Sequence, residues 1–276
     1  MKANNITISF PNQGCDINCP YCISKMTGYL KSNEDLFIRN LKKARRLAIN
    51  AGVSSVLLTS KGETTLSIDS DAFEEACSIF NDFPLEIQTN GRALSKNLNL
   101  VDELNENLID VIAISIDDFE TIDRFSELFK RIKENGMLIR ITVNLLPETY
   151  EASFHDYIDK CHEYNIDQLT FRQINYPEKV LETDEAVKTK EWIDENISTQ
   201  EASNFLRNMT LFLQQEGKII RHLPFGAVVL DYEGISVTAF NYCVQEENSE
   251  EDIRSLIYQE DGHLHTSWAS NASKLF

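Results

Sequence analysis

Apolar and polar positions alternate along this chain with two different periods. Apolar-rich runs of strand length occur at NITISF (5–10), SVLLT (55–59), LEIQTN (85–90), VIAISID (111–117), LIRITVN (138–144) and LTFRQI (169–174). Between them the period lengthens. From Glu34 to Asn50, Leu36, Phe37, Leu41, Ala44, Leu47 and Ala48 share one helical face, with Ser32 as expected N-cap, Asp35 three residues later and Gly52 as stop. After Asp118, Ile122, Phe125, Leu128, Phe129 and Ile132 repeat at helical spacing until Gly136. Strands separated by helices join through right-handed crossovers into a parallel sheet covered by helices, so an α/β fold of six βα units is expected.

Beyond Tyr176 and Pro177 the pattern changes. The charge-rich stretch EKVLETDEAVKTKEWIDEN reads as a surface loop or a substrate-closing loop, and a helix is expected from Gln200 to Gln215. Two β-hairpins follow, turning at Tyr232 to Gly234 and at Glu260 to Gly262. The expected organisation is a core over 1–178, a charged loop excursion over 179–199, and a C-terminal helix plus β-hairpin extension over 200–276 packed on the core.

Parallel α/β folds place their ligands at the carboxyl ends of the strands, and the polar punctuation of this chain falls there. The second strand runs into Ser60-Lys61-Gly62-Glu63-Thr64-Thr65, which is either an ordinary polar loop or a cofactor contact. The third ends in Thr89-Asn90-Gly91, whose Asn-Gly pair is also a common turn. The fourth ends in Ser115-Ile116-Asp117-Asp118, where either aspartate equally serves as a helix cap. In the fifth, Arg140, Thr142 and Asn144 point to one side and Ile141 and Val143 to the other; in the sixth, Thr170, Arg172 and Ile174 oppose Phe171 and Gln173. A buried structural strand is apolar on both faces, so the polar side is read as cofactor or substrate contact.

Cys15, Cys19 and Cys22 form a C-x3-C-x2-C run on the loop PNQGC that follows the first strand. A structural zinc site takes four ligands, and neither a second C-x2-C nor an H-x3-5-H pair lies downstream. Bunched cysteines without a secretory signal also argue against disulfides. Three thiolates suit three corners of a [4Fe-4S] cube, leaving one iron open to a reactant. This run, with Tyr21 just before Cys22, resembles the signature of the radical S-adenosylmethionine (SAM) superfamily. The resemblance implies an open, partial (β/α)6 barrel with a small C-terminal β-extension. It implies a [4Fe-4S] cluster on Cys15, Cys19 and Cys22, and SAM chelated to the open iron through its amino and carboxylate groups. Lys61-Gly62-Glu63 resembles the G-G-E motif that meets the SAM ammonium, with Lys61 in place of the first glycine. Ser115-x-Asp117 resembles the segment near the SAM ribose. Thr142, Asn144, Arg172 and Gln173 complete the candidate SAM contacts. The implied chemistry is reductive cleavage of SAM to a 5′-deoxyadenosyl radical that abstracts a substrate hydrogen atom, with an electron donor such as flavodoxin or ferredoxin.

Cys77 and Cys161 lie in helical patterns and read as small buried hydrophobes, while Cys243 and His222 are candidates for hydrogen-atom donation and acid–base work. His263 and His265 alternate within a hairpin and read as a solvated face. No apolar run approaches the ~20 residues that span a membrane. With 26 basic and 44 acidic residues the net charge is −18, which disfavours a nucleic-acid polymer as substrate. A cytoplasmic enzyme acting on a small molecule is the expectation. Lys25, Lys61, Arg92, Arg140 and Arg172, near strand ends, point to an anionic one. The alternatives are modification of a ribosomally made peptide or protein partner and, in a different class, a non-catalytic iron-sulfur electron carrier or sensor.

Overall fold

A computed structural model describes residues 2–177, 180–197, 199–223, 228–240, 252–268 and 273–276. In chain order its strands are β1 (Lys2–Phe10), β2 (Val56–Ser60), β3 (Leu85–Thr89), β4 (Val111–Ile116), β5 (Leu138–Leu145) and β6 (Gln168–Gln173), then β7 (Lys218–His222), β8 (Val228–Tyr232), β9 (Ile235–Phe240), β10 (Asp252–Tyr258) and β11 (Leu264–His265). The helices are α1 (Ile23–Thr27), α2 (Glu34–Asn50), α3 (Asp71–Ile79), α4 (Arg92–Lys96), α5 (Asn99–Glu106), α6 (Thr121–Arg124), α7 (Ser126–Glu134), α8 (Phe154–Glu163), α9 (Asp184–Asn196) and α10 (Thr199–Glu216). The chain divides into two compact units, Met1–Asn18 with Thr27–Ile112 and Glu246–Phe276, and Cys19–Met26 with Ala113–Gln245.

In the first unit the strand order is β11-β10-β1-β2-β3, followed by the start of β4. β1 pairs in parallel with both β2 and β10, β2 pairs in parallel with β3, and β11 closes the edge antiparallel to β10. Alternation along β1 sends Ile6, Ile8 and Phe10 to one face and Thr7 and Ser9 to the other. The apolar face meets helices: the Phe10 ring lies 5.9 Å from Phe37 of α2 and 5.2 Å from Phe73 of α3. Tyr258 of β10 stacks 4.8 Å from Phe37 and donates its hydroxyl to the Phe37 carbonyl at 2.6 Å.

In the second unit the order continues from the remainder of β4 as β5-β6-β9-β8-β7. β5, β6 and β9 are mutually parallel and β8 runs antiparallel to β9 and β7. Phe171 of β6 packs on Tyr157 and Phe154 of α8 and on Phe205 of α10, at ring separations of 5.3, 6.2 and 5.2 Å. Both expected hairpins form, and each extends a sheet by parallel pairing, β9 along β6 and β10 along β1. A parallel strand at an edge leaves N–H and C=O groups to be met, and these additions meet them.

Four local readings are corrected. The α2 cap is Asn33, whose Oδ1 accepts the Leu36 N–H at 3.0 Å, and not Ser32, which lies one residue too early to reach. The helical pattern after Asp118 breaks at Phe125, where a tight turn from Ile122 O to Phe125 N separates α6 from α7. The stretch 179–199 contains α9, capped by Thr183, with Ala186, Thr189 and Ile193 buried at helical spacing. Ile193 and Ile197 belong to an apolar cluster with Met26, Leu146 and Ile174, so the charges of the segment hide a buried stripe. His265 is buried, not solvated, beside Asp261.

Among the described residues no helix is long and apolar enough to cross a membrane. Phe171→Ala removes a ring with no exposed surface and is expected to lower stability by about 3–5 kcal/mol in urea unfolding.

Candidate active site

β1 delivers the chain to the loop that carries the cysteines. Asn12 Oδ1 accepts the Gly14 N–H at 2.8 Å, and Gly14 takes φ 95°, a conformation open to glycine and strained for other residues. Residues on both sides of Cys15 are then gripped. The Glu63 N–H donates to Gly14 O at 2.8 Å, and Asn90 Nδ2 donates to Asp16 Oδ1 at 2.7 Å. A side-chain carbon on Gly62 would fall 2.0 Å from Gly14 O and 2.2 Å from Asn12 Oδ1, so glycine is required there for two loops to approach.

Glu63 is 3% exposed and its carboxylate is engaged on both oxygens. Oε1 accepts from Thr65 N at 3.0 Å, Thr65 Oγ1 at 2.7 Å and Thr89 Oγ1 at 2.5 Å, while Oε2 accepts from Asn90 N at 2.9 Å. The Glu63 carboxylate is thus an internal clamp between the loops after β2 and β3. Thr89-Asn90-Gly91 is both turn and clamp: Gly91, at φ 76°, opens α4, and its N–H donates to Thr89 Oγ1 at 2.9 Å.

Cys15 is exposed and Cys19 and Cys22 are half-buried, all as thiols. Cys22 N–H donates to Cys19 O at 3.3 Å and Lys25 Nζ to the same carbonyl at 2.9 Å, which shapes the turn into α1. The Tyr21 ring packs 5.8 Å from Trp192 of α9, and burial, with the Asp117 charge adding to it, holds the Tyr21 hydroxyl far above the usual range. Among the described residues no three His, Cys, Asp or Glu side chains are drawn together as a metal set.

In the second unit, β4, β5, β6 and β9 present one polar face. Asn144 Nδ2 donates to Asp117 Oδ1 at 2.9 Å, whereas Asp118 takes the capping role by accepting from Thr121 N and Oγ1, both at 2.8 Å. Strand register aligns Thr142 with Thr170 and Thr238, and Asn144 with Arg172. The three threonines are buried, Arg172 and Ser115 half-buried. Gln173 pairs with Leu145 and shares the Phe171 face that packs on α8 and α10, so alternation turns it away from Arg172. Sequence reasoning missed Thr238, because β9 was read as part of an extension; the polar position in S-V-T-A was its only signal. It also missed Asn5 and Ser9 of β1, whose Oδ1 and Oγ are buried without a hydrogen-bond partner.

Of the five basic residues placed near strand ends, Lys25, Lys61 and Arg140 are engaged by Cys19 O, Gly28 O and Gln168 Oε1. Arg92 is exposed. His222 is exposed on β7, and Cys243 lies outside the described residues. Cys77 and Cys161 are buried in α3 and α8, and burial pushes both thiols up to about 12.

A family model described as the radical SAM superfamily matches residues 9–161, more than half of the 276-residue chain. The chain belongs to the radical SAM superfamily. It is 24% identical over 169 residues to a GTP 3′,8-cyclase of Clostridium acetobutylicum, an alignment covering 55% of this chain and 51% of that protein. It thus spans about half the length of this curated relative. Streptococcus suis SuiB bound to the precursor peptide SuiA has a TM-score of 0.64 at 16% identity, covering 97% of this chain and 60% of SuiB. SuiB bound to S-adenosylmethionine gives 0.64 at 15%, with 99% and 63% covered. This likeness is one of fold, a mixed α/β architecture of the radical SAM, TIM-barrel-like kind. Radical SAM proteins use a [4Fe-4S] cluster and SAM. The residues present suit both: soft sulfur ligands on one short loop, and a first strand that buries Asn5 Oδ1 and Ser9 Oγ without protein partners.

Two outcomes check this geometry. Glu63→Gln must turn an NH2 toward a donor, and a stability loss of about 2–3 kcal/mol is expected in chemical denaturation. With pKa values of about 12, Cys77 and Cys161 are thiolate to roughly one part in ten thousand at pH 8, so they stay unlabelled while Cys15 reacts in the metal-free chain. Mass mapping of iodoacetamide adducts reads the difference.

Proposed function

We propose that this chain is an enzyme that reductively cleaves SAM and removes a hydrogen atom from a small-molecule substrate. The observation that carries this reading is the three-cysteine loop seated on Gly62-Glu63 and Asn90, so that Cys15 enters from a held backbone. Cys15, Cys19 and Cys22 would hold the cluster through their thiolates. When bound and reduced, the cluster and SAM together supply a 5′-deoxyadenosyl radical.

The chain's own residues bind, orient and exclude water. Asn144, steadied by Asp117, retains its amide oxygen as an acceptor for a hydroxyl such as those of a ribose. Arg172, beside Asn144 in register, offers a planar fork to a carboxylate or phosphate. Ser115, Thr142, Thr170 and Thr238 add hydroxyls on the same side, and the burial of the threonines keeps water from that face. Gly62 and Glu63 act by fixing the loop backbone, not by presenting the Glu63 carboxylate. The relative named a GTP 3′,8-cyclase supports a nucleotide-like, anionic substrate; we place the reaction in the cytoplasm with a flavodoxin or ferredoxin as electron donor. The fold neighbour bound to a precursor peptide supports a second reading, modification of a peptide.

The test is anaerobic reconstitution, reduction with dithionite and incubation with SAM, with chromatography for 5′-deoxyadenosine. Formation by the wild type and loss of more than about a hundredfold in Cys19→Ala is the expected result. A wild type that assembles a cluster whose EPR signal SAM leaves unchanged would overturn the reading in favour of an electron carrier. Acceleration of cleavage by nucleotides but not by peptides separates the two substrate classes.

A further inference from the structure

Lys61 stands where the resembling motif has glycine, and its side chain has a specific destination. Its Nζ donates to Gly28 O at 2.7 Å and lies 3.7 Å from Glu260 Oε1. Both side chains are nearly inaccessible, Lys61 at 9% and Glu260 at 1% exposure. Glu260 Oε1 in turn accepts the Leu30 N–H, and the Glu260 carbonyl accepts the Asn33 N–H at 3.3 Å. The hairpin that carries Glu260 is itself fixed. Asn40 Nδ2 donates to Gly262 O at 2.9 Å, and a side-chain carbon on Gly262 would strike Phe37 N at 2.8 Å, so this glycine lets the turn lie against α2. Asp261 next to it is held by Lys274 at 3.0 Å. Burial lowers the Lys61 pKa and raises that of Glu260, so each charge depends on the other and on the backbone groups around it.

The two backbone groups held by this pair, Gly28 O and Leu30 N, belong to the stretch through which the chain leaves the cysteine segment, six and eight residues after Cys22. We propose that Lys61 and Glu260 are positioning residues that latch residues 28–33 and so govern how firmly the cysteine loop keeps its cluster. The inference rests on the cluster reading above only for its second half; the latch stands on the described contacts. It also gives the β10–β11 hairpin a role in the site without any residue of that hairpin touching a ligand.

A structural ion pair and a positioning latch respond differently to replacement by apolar residues. Lys61→Met and Glu260→Gln each leave one buried group unmatched, whereas the double variant Lys61→Met/Glu260→Leu removes both charges together. Hydrogen exchange of the metal-free proteins, with the amides of β1 as internal reference, reads the latch at Leu30. Release of iron to a chelator from the reconstituted proteins reads its consequence. The double variant is expected to regain the wild-type melting temperature while Leu30 exchanges at least about tenfold faster and iron is lost about tenfold faster. A double variant that restores Leu30 protection and iron retention along with melting temperature would overturn the proposal, as would single variants that leave Leu30 unchanged. If the wild type takes up no iron the proposed function fails, and exchange at Leu30 alone then decides the latch.

Discussion

A buried carboxylate sets the terms for the cysteine-bearing end of this protein. A carboxyl group removed from water must be met by hydrogen-bond partners, and Glu63 accepts from four donors, on Thr65, Thr89 and Asn90. Because these donors lie on two separate loops, satisfying one side chain fixes the relation of the segments after β2 and β3. The backbone of the same residue holds Gly14, and Asn90 reaches on to Asp16. Hydrogen bonds to a charge inside a protein reinforce one another, so the loop carrying Cys15 inherits the rigidity of two strands.

The second organising feature is the division of labour between strand faces. Ile6, Ile8 and Phe10 in the first unit and Phe171 in the second are covered by helices, which supply the hydrophobic stabilisation. That leaves the opposite faces able to carry Asn5 and Ser9, or Thr142, Asn144, Thr170, Arg172 and Thr238, without weakening the core. Buried polar atoms without protein partners are expensive in a purely structural strand, and their presence fits a protein whose strands face ligands. The edges follow the same economy of hydrogen bonding, with β9 and β10 pairing along β6 and β1.

Several readings failed or stayed open for reasons that lie in three-dimensional neighbours. The α9 segment is so rich in charge that Ala186, Thr189 and Ile193 gave little periodic signal, and the helix is stabilised by Met26, Leu146 and Ile174, distant in the chain. The assignment of Asp117 and Asp118 could not be split by local pattern, since both stand at a helix start; Asn144, from the next strand, separates them. His265 alternates like a surface residue, yet it is buried beside Asp261. Lys61 does depart from the motif, and only the fold shows its partner, Glu260, 199 positions further along the chain.

The first six strands and α2, the spacing of Cys15, Cys19 and Cys22, and the two-sided character of β5 and β6 were determined by the sequence alone, since each depends on residues within one turn or a few alternations of one another. What only the tertiary structure decided was the use of each polar group. Glu63 became a clamp, Lys61 a latch, Gln173 a residue of the helix-covered face and Thr238 a member of the polar one. A carboxylate or an ammonium takes its role from whatever donor, acceptor or charge lies within about 3 Å in the folded chain, and that neighbour is set by packing, not by sequence distance.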